Sequence, residues 1–291
     1  MPRRLAAARV TGAAAMVIKA PTFYEQVTAA IRHFQRFGFT SQAELDEWVQ
    51  RLRRAALLKL QTPEQTEREI TAALHARYTQ AVTKGGLERQ MPALPRFTIE
   101  KVKPQLRREL DRRISVSASL IKLNRDEAIS TTMRRFQGWA TSIPPGGSKI
   151  VDVKDEKDNV RRALTNLPFH ERRVVIDQTH KLVDAITNIV AVEGGAIAAR
   201  WHSPWRRQGY AARKDHKSRD ELVFAIRDCW AIQKGLMKAG PNGFTDQIER
   251  PGEFVFCSCT YEYLFYLTSL PLDMLTKAGM YTLPIRSTAG A

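Results

Sequence analysis

Long apolar runs are missing from this sequence, and cysteine is nearly so. With three cysteines in 291 residues, and only Cys257 and Cys259 close together, there is no disulfide framework of the kind that staples small secreted domains, and a reducing compartment is expected. The greasiest stretch, residues 261–275, contains Glu262, Pro271 and Asp273 and is shorter than the ~20 residues that span a bilayer, so no membrane anchor is expected. At the start, Met1, Pro2, Arg3 and Arg4 precede an Ala-rich run, but Arg9 interrupts that run and Lys19 closes it, so the segment is not expected to direct secretion.

Catalytic signatures are absent as well. There is no Gly-x-Ser-x-Gly elbow, no Gly-x-x-x-x-Gly-Lys-Ser/Thr phosphate loop, no His-Glu-x-x-His and no dinucleotide fingerprint. Gly146-Gly147-Ser148-Lys149 lacks the leading glycine of a phosphate loop and reads as a turn. No residue is therefore assigned a catalytic role. Internal repeats and heptad arrays are also missing.

Acidic residues are in deficit. The formal net charge is +16, which predicts attraction to phosphates, acidic proteins or an anionic surface. The excess is uneven, since residues 1–150 hold 26 Lys+Arg against 13 Asp+Glu, and residues 151–291 hold 20 against 17.

What is present is helix. Ser41 with Glu44, and Thr62 with Gln65 after Pro63, set a hydroxyl at N-cap and an acid or amide three residues on, the pattern of a reciprocal capping box. Leu45, Trp48, Val49 and Leu52, then Ile70, Ala73, Leu74 and Tyr78, recur at spacings of three and four, so each helix has one apolar face. Residues 85–104 contain Gly85, Gly86, Pro92, Pro95 and Pro104 and read as a linker. A long helix or broken pair is expected over residues 105–140, ended by Pro144-Pro145-Gly146-Gly147. The acidic turn at 152–158 is expected to lead a short helix, and residues 171–192 form a further helix stopped by Gly194-Gly195. Beyond it, residues 196–201 and 253–263 read as strands, the latter with Val255, Cys257 and Cys259 on one face. The expected fold is α+β and predominantly α-helical: a basic helical region at residues 1–150 and a small α+β domain at residues 151–291.

Several constellations carry chemistry. Cys257 and Cys259 point to the same side of a strand and with His216, His202 or Asp215 can share a metal. Thiolate and imidazole favour zinc over magnesium or calcium. An alternative reading, no metal at all, makes the cysteines small buried apolar residues and His216 a structural hydrogen-bonding group; a labile disulfide between the two cysteines is the third reading. No glutamate stands beside the histidine in sequence to act as a base, so a zinc here would be structural. Trp201, Trp205, Tyr210 and Trp230 are interleaved with Arg200, Arg206, Arg207, Arg213, Lys214, Lys217 and Arg219. That mixture suits either nucleic-acid stacking or a core bordered by a protein interface. Arg107, Arg108, Arg112 and Arg113 form a second candidate DNA- or partner-binding cluster, spread over more than one helix face and interrupted by Glu109 and Asp111.

The order of residues from 198 to 266 adds a resemblance. Ala199-Arg200-Trp201-His202 is followed by Ala212-Arg213-Lys214-Asp215-His216-Lys217-Ser218-Arg219-Asp220, Phe224, Gly243-Phe244-Thr245-Asp246, Pro251 and Cys257-Ser258-Cys259. This succession resembles the phage Mu F-like minor head protein family of tailed bacteriophages, in which a Trp-containing strand, an Arg and His pair, an acidic turn, an aromatic residue, a Pro and a closing Cys-x-Cys follow in order. Ser258 stands where members commonly carry Arg, and Glu221 where they commonly carry Gly. The resemblance implies a non-enzymatic virion component made in the host bacterial cytoplasm, lying inside the capsid or at the portal vertex. Its partners would be the portal protein or the major capsid protein, packaged double-stranded DNA and further copies of itself. A zinc-dependent hydrolase or nuclease and a sequence-independent DNA-binding protein are the alternatives.

Overall fold

The computed structural model describes residues 21–283, so the reading of the N-terminal run as a broken secretion signal lies outside the described residues. The fold is predominantly helical with a small antiparallel sheet towards the C-terminus. It divides into two compact units, residues 21–60 with 129–164 and residues 61–128 with 165–283. The Pro-Gly turn at 144–147, near the division expected at residue 150, lies within the first unit.

Helix α1 (Phe23–Phe37) opens on Thr22, whose hydroxyl accepts from the Glu25 amide while the Glu25 carboxylate accepts from the Thr22 amide at 2.7 Å. This reciprocal box is written in the sequence as Thr-x-x-Glu and is a third helix start beside the two expected. Helix α2 (Gln42–Lys59) is capped by the Ser41 hydroxyl, but the Glu44 carboxylate turns to His33 at 2.6 Å, so only half of the expected box forms there. Phe23, Val27, Ile31, Phe34, Leu45 and Leu52 are all buried. Phe34 meets Phe136 edge to face at 5.7 Å. The backbone of residues 35–39 bonds that of residues 143–148, Gly146 donating to Phe37 and Ser148 to Gln35. The approach is so close that a Cβ on Gly147 would sit 2.3 Å from the Gln35 carbonyl oxygen, which requires glycine.

Two long helices supply residues to both units: α5 (Arg96–Ser142) and α6 (Val153–Glu193). Both run through a proline where the sequence predicted an interruption. Pro104 lies inside α5 and Pro168 inside α6. Both prolines are exposed, so each ring lies on the outer face of its helix, where the chain continues through it. The expected linker therefore ends at Pro95, and the acidic turn leads not a short helix but the whole of α6. Its N-cap is Asp152, whose carboxylate accepts from the amides of Lys154 and Asp155.

In the second unit α3 (Pro63–Tyr78) carries the complete Thr62–Gln65 box and passes through a π-turn into α4 (Gly86–Gln90). Ile70, Leu74, Val102, Leu106, Leu110, Leu182, Ile186 and Val190 form its core with Ala198, Val223 and Leu264 of the sheet. Gly195, at φ +84°, ends α6 and turns the chain into β1 (Ala198–His202). β1 is the middle strand, flanked by β2 (Val223–Ala225) and β3 (Thr260–Leu264), both antiparallel to it. Ala199 faces Phe224 on one side and Tyr263 on the other, and Trp201 pairs with Tyr261.

The strand expected over residues 253–263 is shorter than predicted. Residues 253–259 form turns: Cys257 donates to the Phe254 carbonyl, and Phe256 has φ +60°. A left-handed Phe256 interrupts the pleat, so it is a turn, not strand alternation, that aims the two cysteines.

Candidate metal centre

His216, Cys257 and Cys259 meet under the sheet. His216 lies on a one-turn helix, α7 (Lys214–Ser218), and the cysteines lie on the turn just before β3. All three are buried, at 0%, 2% and 1% exposure. The His216 Nδ1 atom is 3.5 Å from each sulfur, and neither cysteine is in a disulfide. Trp201 covers the imidazole edge-on at 5.2 Å and Phe254 lies 5.9 Å away. Ala199, Trp201, Phe224 and Tyr261 complete the apolar shell.

The turn that aims the sulfurs is held by α6. The Asp177 carboxylate accepts from the Phe256 amide at 2.6 Å and pairs with Lys181 at 2.9 Å. Arg173 stacks over the Phe256 ring at 3.8 Å. Ser258 donates its amide to the Tyr210 hydroxyl at 3.1 Å. These contacts fix a left-handed phenylalanine that would otherwise relax.

The opposite face of the imidazole looks at carboxylates. Nε2 lies 3.6 Å from Glu249 and 3.8 Å from Asp215 and makes no hydrogen bond. No glutamate stands beside the histidine in the sequence. Folding supplies Glu249 from 33 positions away, a separation that leaves no local signal. The hydrogen bond from Arg219 holds the Glu249 carboxyl down at about 2. The hydrogen bond between the two thiols holds Cys257 down at about 5, and the same bond pushes Cys259 up.

His202, the second imidazole named from the sequence, is not in this cluster. Its ring reaches Glu221 at 3.0 Å and Glu262 at 3.3 Å on the exposed side of the sheet. Asp220 beside it clamps the end of β1, accepting from the Ser203 amide at 2.8 Å and from the Trp205 indole at 2.7 Å. The Ser203 bond, aided by that of Trp205, lowers the Asp220 carboxyl below the usual range.

The arginines separate into different settings. Arg107 pairs with Asp111 at 3.2 Å, and Arg112 and Arg113 share Glu109 at 2.7 Å. Arg108 is exposed and has no ion pair among the described residues. Arg206 stacks on Trp205 at 4.7 Å, and Arg213 lies over Phe254 and donates to the Val255 carbonyl at 3.2 Å. Arg207 is exposed, and its amide donates to the Pro204 carbonyl in the loop after β1. Trp201 is fully buried, the core reading of that aromatic rather than the stacking one.

Arg112 and Arg113 also border a cleft of about 300 Å³ with Lys181, Arg250, Asp184 and Tyr261. Burial there pushes the Asp184 carboxyl up to about 7. His216, Cys257 and Cys259 do not line this cleft. No helix of the described residues is long and apolar enough to cross a membrane. No protein-family model, curated protein or solved structure matches the chain.

Proposed function

We propose that this protein is a minor head protein of a tailed bacteriophage, a structural and assembly component acting at the portal vertex or inner capsid during head morphogenesis and DNA packaging or ejection. The observation that carries this reading is the convergence of the residues on which the resemblance rests. Trp201, His216, Phe224, Cys257 and Cys259 are spread over about sixty positions, yet they gather in and around one buried cluster. A succession that recurs as a family motif is expected to serve one folded unit in this way. A second detail agrees. Glu221, which stands where the family commonly has Gly, adopts φ +68°, the left-handed region that glycine enters without penalty.

Burial argues against the hydrolase alternative. A metal-dependent nuclease needs an open coordination position reached from solvent, whereas this cluster lies under Trp201 and Phe254 and outside the cleft. The net charge of +16 suits a protein that works among crowded phosphates, with an affinity for DNA that falls as salt rises.

The test is fractionation of particles from cells producing the phage that carries this gene. Quantitative mass spectrometry is expected to find the protein in procapsids and mature heads and to recover the portal protein with it after mild cross-linking. Its absence from both kinds of particle overturns the reading. DNA degradation abolished by a chelator would favour the hydrolase instead.

A further inference from the structure

We propose that His216, Cys257 and Cys259 are the protein ligands of one zinc ion that clasps the turn before β3 to α7. The inference does not depend on the virion reading and rests on the geometry of the three donors.

Their ligand atoms all lie within 4.8 Å of one another. For a tetrahedral zinc with bonds of ~2.3 Å to sulfur and ~2.0–2.1 Å to nitrogen, the N···S edge comes to about 3.5–3.6 Å. Both observed Nδ1···Sγ distances are 3.5 Å. A thiol donating to the imidazole lone pair is best aimed when one sulfur alone is close, and here the two distances single out neither sulfur. Equal distances place the lone pair between the sulfurs, where a cation bound to all three would lie.

The surroundings agree with that assignment. Coordination through Nδ1 fixes the proton on Nε2, which lies between the carboxylates of Glu249 and Asp215. At 3.6 and 3.8 Å neither is hydrogen-bonded to it, but they stand on the side from which outer groups orient a ligating imidazole. Coordination thus gives a role to a buried ring nitrogen that has no hydrogen-bond partner. Two thiolates neutralise the charge of a divalent ion and leave the buried site uncharged overall. Two sulfurs and one imidazole select zinc over the hard cations that prefer oxygen.

Among the described residues no fourth Cys or His joins the cluster, which leaves an oxygen ligand such as water for the remaining position. The covering Trp201, Phe254 and Tyr261 make the site one that holds chain segments together.

The experiment uses the full chain, purified under reducing conditions without chelator and with any affinity tag removed. After incubation with excess zinc and exhaustive dialysis, elemental analysis is expected to find one zinc per chain. The same value is expected for Cys229→Ser, and close to none for His216→Ala and for the double variant Cys257→Ser/Cys259→Ser. Cobalt substitution of the unaltered chain provides a readout that does not need the variants to fold. Thiolate-to-cobalt charge-transfer absorption and the intense visible bands of tetrahedral coordination are expected. Zinc well below one per chain after reconstitution, cobalt spectra without thiolate bands, or full zinc retention in the double cysteine variant would each overturn the proposal.

Discussion

The helical unit of residues 21–60 and 129–164 and the sheet region of residues 198–264 are held together by different means. In the first, Phe34, Leu45, Leu52, Phe136 and their neighbours bury apolar faces, and among the described residues Thr132 is its one buried polar residue. In the second, three strands of five, three and five residues cannot enclose a large core. Loops between them are pinned individually: Asp220 to the Ser203 amide, Asp177 to the Phe256 amide, Tyr210 to the Ser258 amide, Glu249 to Arg219. A core made of periodic apolar faces is redundant, since losing one contact leaves many. Pins are not, because each holds a segment that has no other regular structure.

The largest test of this contrast pairs two aromatic truncations. Trp201→Ala and Phe34→Ala are each expected to cost about 3–5 kcal/mol in chemical denaturation. Their hydrogen-exchange patterns should differ: Trp201→Ala should free the amides of residues 203–222 and 250–259, whereas the effect of Phe34→Ala should spread over its whole helical unit. Identical patterns would remove the distinction.

Next in size is a single pin. Asp220→Ala removes two charge-assisted bonds and is expected to cost about 2 kcal/mol, with faster exchange at Ser203 and Trp205. A loss below 0.5 kcal/mol, about the level of an ordinary surface change, would show that the loop holds itself.

A smaller effect comes from the cleft. Asp184 titrates at about 7 in the folded chain because of burial, above the ~3.9 of an unfolded aspartate. Between those values the folded state binds the extra proton, so stability is highest below pH 4 as far as this group is concerned and falls as pH rises to 7. With a discount for partial exposure, the loss is about 1–2 kcal/mol. Asp184→Asn should be more stable than the parent at pH 8 and should show little of that slope in melting temperature. An unchanged slope would show that Asp184 is not its source.

The smallest effect is again a gain. Glu221→Gly relieves a left-handed residue and is expected to gain about 0.5 kcal/mol, read as a slightly higher melting temperature. A clear loss would mean that the His202 contact outweighs the strain.

The helices were the legible part of the sequence. Thr62 with Gln65 and the apolar spacing after it specify α3 without help from the rest of the chain. The continuity of α5 and α6 was not legible, because Pro104 and Pro168 break a helix or leave it intact according to which side faces water, and that is settled by packing. At the candidate metal centre the ligand chemistry of Cys257, Cys259 and His216 stood in the sequence, but the choice between His216 and His202 did not. Both are imidazoles near the same stretch, and only the register of β1 against β3 turns His202 outward. Glu249 was invisible for the same reason, since its place beside His216 is made by tertiary structure.

The strand order has a consequence for synthesis. β1 is the middle strand but is translated first, and its last neighbour follows ~60 residues later, about 3–12 s at ordinary elongation rates. Throughout that interval the nascent β1 has an open edge. The local contacts of the helices need no such wait. A message truncated before codon 260 would therefore release a chain whose helices can form but whose sheet exposes an unpaired edge, a template for aggregation.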